Sequence, residues 1–143
     1  MKYYVIEPEV AGGFGEHTVI DRSTGKMVVQ KLHYKFDGWL GGELLESAPC
    51  YIVTERLASE IERAQFTGVR FEEVEVSASD QFTELYPNRH LPKFLWLKVD
   101  GKPGHEDFGL APGLQLVVSE RAVELLHLTG IPNAAYLTPF ESG

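Results

Sequence analysis

The chain predicts an α+β fold: a mixed, mostly antiparallel sheet with two main helices on one face. Two similar segments, residues 50–76 and 114–140, each have the pattern of a strand, a helix and a second strand. Residues 1–36 add short β-rich runs, which predict an N-terminal β hairpin region. We expect a single domain over residues 1–143, because a chain of this length can enclose one hydrophobic core.

The similarity of the two segments rests on shared landmarks. In each, an apolar run leads to Thr54-Glu55-Arg56 or to Ser119-Glu120-Arg121, at an offset of 65 residues. A second pair, Thr67-Gly68-Val69 and Thr129-Gly130-Ile131, matches at an offset of 62 residues. We therefore expect the first helix to be three residues longer than the second. A repeated strand–helix–strand unit is typical of a scaffold rather than of a catalytic site.

The N-terminal region predicts short strands separated by turns. We expect strands at Lys2–Ile6, His17–Ile20 and Lys26–Phe36. Glycines in residues 11–15 favour a turn there, since glycine is common in turns and loops. In the last of these strands, one face becomes apolar from Leu32 onward and is expected to meet the core.

The first unit is preceded by a glycine-rich loop, residues 37–42, and by residues 43–47, which favour a short helical turn. Thr54 follows an apolar run and is expected to cap the helix, because its hydroxyl can accept from the unpaired amides of the first turn. Gly68 fits the end of that helix. A mostly apolar stripe at helical spacing predicts its inward side: Leu57, Ala58, Ile61, Ala64 and Gln65.

The rest of the chain alternates apolar runs with polar loops. The run Val69–Val76 predicts a strand with a bulge, and Lys93–Val99 predicts a central strand covered on both faces. Residues 77–92 and 105–113 predict irregular loops. Ser119 is expected to cap the second helix, which ends at Gly130, before a last strand over Ala134–Phe140. Its predicted inward residues are Ala122, Val123, Leu125, Leu126 and Thr129.

The net charge of −8 is concentrated in the middle of the chain. Residues 37–88 hold three basic and eleven acidic residues, whereas residues 1–36 and 89–143 are nearly neutral. An acidic surface repels phosphate backbones, so we do not expect nucleic-acid binding. It attracts basic proteins and speeds their association, although it could also serve only solubility.

Nothing in the sequence indicates a membrane or a secretory route. No run approaches the roughly 20 apolar residues of a membrane-spanning helix, and the N-terminus lacks the features of a signal peptide. The single cysteine, Cys50, cannot form an internal disulfide and is expected at the start of a buried strand. We therefore expect a cytoplasmic protein that does not associate with membranes.

The chemistry-bearing residues form no recognisable catalytic or metal motif. None of the five histidines has the short spacing of a metal site, so we expect no cofactor, no metal ligands and no catalytic residues. The densest cluster is His105-Glu106-Asp107, in a predicted loop. An alternative is therefore a small enzyme that uses this cluster with His90 or His33. A structural or regulatory subunit of a larger assembly is a further alternative.

A partner-binding role has more support in the residue pattern. Trp39 lies in a glycine-rich loop among acidic neighbours, and such a tryptophan can anchor an interface with a basic protein, although it could also cap the end of the core. Charge and loop placement give the predicted partner-binding residues: Asp37, Trp39, Glu43, Glu46, Glu73, Glu75, Asp80 and Glu84.

The segment SAPCYIVTERLASEIERAQFTGVRFEEVEV, followed by Leu91-Pro92 and an apolar strand, resembles a known family. It is similar to immunity proteins of bacterial polymorphic and contact-dependent toxin systems, of the DUF1629 type and the related double-CxxCG group from myxobacteria. The resemblance covers roughly residues 37–138, and the chain lacks both CxxC pairs of that group. It implies a cytoplasmic antitoxin-like protein without catalysis, which occludes the active site of a basic cognate toxin. The oligomeric state is left open.

Overall fold

The computed structural model describes residues 2–129 and 136–140, and it confirms the α+β class. Most strands pair antiparallel, and the helices of this part of the chain are α1 (Glu55–Arg63), α2 (Asp80–Leu85) and α3 (Glu120–Thr129). The strands are β1 (Tyr3–Glu7), β2 (Gly12–Phe14), β3 (Val19–Asp21), β4 (Val28–Lys31), β5 (His33–Phe36), β6 (Leu44–Ser47), β7 (Cys50–Thr54), β8 (Val69–Glu73), β9 (Glu75–Ala78), β10 (Phe94–Val99), β11 (Phe108–Leu110), β12 (Leu116–Ser119) and β13 (Tyr136–Pro139).

The two strand–helix–strand units lie in two four-stranded sheets of the same plan. Their strand orders are β6-β7-β10-β8 and β11-β12-β1-β13, and all neighbours in both sheets are antiparallel. In each sheet a helix connects the second strand to the fourth. The third strand comes from elsewhere in the chain: β10 follows the first unit, and the N-terminal β1 completes the second.

The equivalence of the two sheets extends to their register. Thr54, at the end of β7, pairs with Phe94, and Ser119, at the end of β12, pairs with Tyr3. The first amide of each helix is bound in the same way: Glu55 N donates to Lys93 O at 2.9 Å, and Glu120 N donates to Lys2 O at 3.0 Å. The similarity seen around Thr54 and Ser119 therefore continues through the whole sheet.

One hydrophobic core joins the two units. It contains the inner faces of both sheets together with the buried sides of α1 and α3. Each large apolar side chain removed from water in this way contributes roughly 1.5–3 kcal/mol. Equivalent positions supply equivalent packing: Leu57, Ala58 and Ile61 from α1, and Ala122, Val123 and Leu126 from α3.

A further layer covers the outer face of the first sheet. It consists of the three-stranded sheet β2-β5-β9, the hairpin β3-β4 and the short helix α2. The predicted inward face of β5 is confirmed, because Leu32, Tyr34 and Phe36 are fully buried. Trp96 contributes to this second core and Leu97 to the first, so the prediction of a central strand covered on both faces is also confirmed.

Four local predictions were wrong. Residues 12–14 form β2 rather than a turn, and residues 44–47 form β6 rather than a helical turn. The predicted loop over residues 77–92 contains α2 and the second half of β9, and the predicted loop over residues 105–113 contains β11. In each case long-range pairing or packing overrides local preference. Gly12 illustrates this, since a Cβ there would lie 1.9 Å from Lys35 O and would block the pairing of β2 with β5.

The predicted helix lengths and the predicted bulge also need correction. The first helix ends at Arg63 and has nine residues, while α3 has ten, so the three additional residues lie in the following turn. Ala64 and Gln65, which were predicted on the inward side of the first helix, lie after its end, and Gln65 is exposed. Gly68 does not cap that helix but lies in this turn with φ +83, where a Cβ would lie 2.2 Å from Phe108 O. The run predicted to bulge instead divides into β8 and β9, which belong to different sheets. The strand predicted over Lys26–Phe36 likewise divides into β4 and β5, which belong to different sheets. The predicted roles of Gly130, of residues 134–135 and of the Thr129 side chain lie outside the described residues.

Candidate functional site

A shallow pocket of about 380 Å³ opens beside Trp39. We call its lining the Trp39 surface, made of Glu9, Val10, Ala11, Gly12, Asp37, Gly38, Trp39, Leu40 and Tyr86. Two of its apolar side chains project into solvent, with exposed fractions of 83% for Leu40 and 63% for Val10. Side chains of this kind are common contact points in protein interfaces.

The loop that presents Leu40 is held in place by hydrogen bonds. The Glu9 carboxylate accepts from Leu40 N at 2.7 Å and from Gly42 N at 3.0 Å. The Trp39 indole donates to Gly42 O at 2.8 Å, and its ring packs edge-on against Phe94. A partner would therefore meet a loop that is already ordered, which lowers the entropic cost of binding.

An arginine side chain covers the aromatic part of this surface. The Arg89 guanidinium lies 4.6 Å from the Trp39 ring centroid and 5.5 Å from that of Tyr86. Among the described residues, Arg89 has no carboxylate within salt-bridge distance. Its stacking on the two rings is therefore the main contact seen for this cation.

Helix α2 brings further acidic residues to the same region. Ser79 caps this helix, since its hydroxyl accepts from Phe82 N at 3.1 Å, and its amide donates to Phe36 O, one residue before Asp37. The Phe82 ring packs against Phe36 and Tyr86 and so fixes the helix beneath the Trp39 surface. The two exposed carboxylates carried by this helix are Asp80 and Glu84.

The predicted partner-binding residues divide into two groups. Asp37 and Trp39 line the Trp39 surface, and α2, which carries Asp80 and Glu84, ends next to Tyr86 of the same lining. The three acids make no ion pair within the described ranges 2–129 and 136–140. The other four carboxylates have internal partners: Arg56 and Thr54 for Glu43, Tyr51 for Glu46, Lys93 for Glu73, and Lys31 with His17 for Glu75. The negative charge of residues 37–88 is thus partly neutralised by basic side chains of the same protein.

The helix start of each repeated unit is bound by a carboxylate that precedes the unit, and we call each such arrangement a carboxylate clamp. In the second unit, Asp107 accepts from Ser119 Oγ at 2.7 Å, and from Arg121 Nε at 2.7 Å and Nη2 at 2.6 Å. In the first unit, Glu43 accepts from Thr54 Oγ1 at 2.7 Å and binds Arg56 through both carboxylate oxygens. The sequence shows the hydroxyl and arginine of each clamp side by side. The carboxylates lie 11 and 12 residues earlier, where only comparison of the two copies could have found them.

Both carboxylate oxygens of Asp107 accept hydrogen bonds within its clamp. This matters for the alternative that the protein is a small enzyme using the His105-Glu106-Asp107 cluster. Burial by itself would raise the pKa of Asp107, but hydrogen bonds from Arg121, Ser119 and the Thr67 amide outweigh it and hold the pKa well below its ordinary value. A carboxylate that stays ionised and accepts four side-chain hydrogen bonds is poorly suited to proton transfer. The geometry therefore does not favour Asp107 as a proton-transfer group, and the enzyme alternative stays untested.

His17 from a turn, His33 from β5 and Glu75 from β9 form a cluster that was not predicted from the sequence. His17 Nδ1 lies 2.6 Å from Glu75 Oε2, and His33 Nε2 lies 3.7 Å from the same oxygen. These ligand types suit zinc. Both nitrogens of the buried His33 ring already have partners, however: Nδ1 accepts from His17 N at 3.2 Å, and Nε2 lies 2.7 Å from Ser77 Oγ. Zinc at Nε2 would displace Ser77 Oγ, and it would place the ring proton on Nδ1, which could then no longer accept from His17 N. The cluster therefore fits a hydrogen-bonded link between β5 and β9 better than a metal centre.

Cys50 adds no reactive thiol to the described residues. Cys50 is buried, as predicted, and burial raises the pKa of its thiol to about 12, which disfavours the reactive thiolate. None of the helices in the described part of the chain has the length and apolar character needed to cross a bilayer.

No protein-family model matches the chain, and no curated protein is similar to it at a significant level. The resemblance of residues 37–138 to immunity proteins therefore stays a prediction. The geometry of the Trp39 surface is the main basis for a functional proposal.

Proposed function

We propose that this protein is a cytoplasmic immunity protein that binds and neutralises a basic cognate toxin, without catalysis of its own. The observation that carries the proposal is the Trp39 surface, where exposed apolar side chains are flanked by carboxylates without ion-pair partners among the described residues. The family-like segment at residues 37–138 supports the same function.

The charge around the surface supports a basic partner. Asp37, Asp80 and Glu84 add negative potential to a chain whose net charge is already −8. Unpaired surface charges attract an oppositely charged protein over several ångströms and raise its association rate, and salt screens the attraction. Binding should therefore weaken as the salt concentration rises.

The apolar residues supply the contact after encounter. Leu40, Val10 and Trp39 form a small apolar centre, and the polar residues Glu9 and Asp37 line the same pocket. Interfaces often concentrate their binding energy in such a centre, with a polar rim that excludes water. Occlusion of the toxin's active site by this surface would suffice for neutralisation.

The test is a capture experiment with the protein encoded by the immediate genomic neighbour. Tagged wild-type protein should retain this neighbour at low salt and release part of it at high salt. The triple variant D37N/D80N/E84Q should bind at least tenfold more weakly, since each lost rim charge contributes roughly 0.5–1 kcal/mol to attraction.

A matched triple variant controls for loss of net charge alone. E62Q/E120Q/E124Q removes three exposed charges from α1 and α3, and Glu120 matches Asp80 in lying in the first turn of a helix. This variant should bind within about twofold of wild type, because the changed positions lie outside the Trp39 surface. Equal losses in both triple variants, or no capture of the neighbour at either salt concentration, would contradict the proposal.

A further inference from the structure

We propose that the Trp39–Tyr86 ring pair is a receptor for an arginine side chain of the partner, and that Arg89 occupies it in the free protein as an internal competitor. The inference rests on the proposed function for the identity of the partner. The receptor itself can be tested without that partner.

The ring pair already shows the chemistry that it would use. The Arg89 guanidinium lies over both rings, at 4.6 Å from the centroid of Trp39 and 5.5 Å from that of Tyr86. Both distances fall within the range of cation–π attraction, which is worth roughly 0.5–1 kcal/mol at exposed sites. A planar guanidinium also stacks on an aromatic face better than an ammonium does, so arginine is favoured over lysine.

The surroundings of the rings favour a second cation over an anion or a neutral group. Trp39 and Tyr86 both line the 380 Å³ pocket, and so does Asp37. Asp37 makes no ion pair among the described residues, whereas both oxygens of Glu9 are used by backbone amides. An arginine placed on the rings by a partner would thus gain the stacking that Arg89 has now, and Asp37 in the adjoining pocket would add a negative charge that favours a cation.

Arg89 can be displaced at little cost. Its side chain is exposed, it lies in the irregular segment between α2 and β10, and it makes no salt bridge within the described part of the chain. Displacement therefore exchanges one cation–π contact for another, while the released guanidinium returns to water. Removal of Arg89 should consequently strengthen the binding of a guanidinium supplied from outside.

The first arm of the experiment uses ethylguanidinium as the probe and the Trp39 indole N–H signal in NMR as the readout. In R89A and in R89Q this signal should shift saturably at concentrations on the order of 10–100 mM. In wild type the shift should be about threefold smaller at the same subsaturating concentration, because Arg89 competes with an attraction of roughly 0.5–1 kcal/mol. Ethylurea, a neutral analogue, should cause no shift, and the indole of the buried Trp96 serves as the internal control.

The result that would overturn the receptor is the absence of a saturable shift in both variants. Equal shifts with ethylurea, or equal shifts in wild type and R89A, would overturn it as well. R89Q retains most of the side-chain length without the charge, so agreement between the two variants excludes a local packing defect.

The second arm uses the protein encoded by the genomic neighbour. R89A should capture it severalfold more tightly than wild type, while R22A, which removes an exposed positive charge in the β3–β4 hairpin, should change capture by less than twofold. Weaker capture by R89A would overturn the competitor role. Failure of every version to capture the neighbour would contradict the proposed function, and the ethylguanidinium result would then decide the arginine receptor by itself.

Discussion

Replacing Asp107 by alanine is expected to lower the free energy of unfolding by about 3 kcal/mol. The side chain is only 5% exposed and binds Arg121, Ser119 and Thr67. Its loss leaves the buried Ser119 hydroxyl without its acceptor, which costs more than the broken bond itself, and it removes the two bonds to the half-exposed Arg121 guanidinium. Urea unfolding followed by circular dichroism measures the difference.

The same carboxylate gives stability a defined dependence on pH. The folded pKa of Asp107 lies below its unfolded value of about 3.9. Its stabilising contribution is therefore complete above that value and is lost as the pH falls through the folded pKa. The D107A variant should lack this part of the acid dependence, so its stability should approach that of wild type as the solution is acidified.

The equivalent clamp in the first unit is the natural control. Glu43 is 14% exposed, and its partner Arg56 is 71% exposed, so water can replace more of the lost contact in E43A. We expect E43A to cost about half as much as D107A. A loss below about 1 kcal/mol for D107A, or a larger loss for E43A, would contradict this account of the two clamps.

The second large effect is expected on binding rather than on stability. Leu40→Lys should weaken binding of the cognate partner by roughly 30–100-fold, equivalent to about 2–3 kcal/mol. The variant removes an apolar contact at the centre of the Trp39 surface and places a positive charge opposite a basic protein. Because Leu40 is 83% exposed, the fold should tolerate the change. Isothermal titration calorimetry with the purified partner measures the loss.

Leu128→Lys provides a control of the same chemistry. Leu128 is 84% exposed near the end of α3, and it does not line the Trp39 surface. A lysine there should leave the affinity within about twofold of wild type. If L40K and L128K bind equally well, the Trp39 surface is not the interface.

The sequence predicted the parts of the fold that depend on local pattern. The caps at Thr54 and Ser119, the buried sides of α1 and α3, and the central strand β10 all follow from residue spacing and side-chain type. The similarity of the two units was also recognisable in the sequence, because their first strands and their helices share residues at matching positions. The equivalence of β1 with β10 was missed, because the strand that completes the second sheet comes from the opposite end of the chain.

The predictions that failed concern residues whose conformation depends on contacts with distant parts of the chain. Residues 44–47 are extended because they pair with β7, and Gly12 allows β2 to approach β5 closely; neither contact is encoded locally. The candidate site shows the same division. Trp39 and Asp37 were identified from their loop, whereas the internal partners of Glu43 and Glu75 come from remote strands or helix starts. The roles of Tyr86 and Arg89 could not be predicted, because their contact with Trp39 exists only after folding.

A growth assay tests the central claim most directly. Cells that express the genomic neighbour alone should stop growing, and co-expressed wild-type protein or the E62Q/E120Q/E124Q variant should restore growth. At equal protein levels, the D37N/D80N/E84Q variant combined with L40K should fail to do so. Full protection by this combined variant, or no protection by the wild type, would contradict neutralisation through the Trp39 surface.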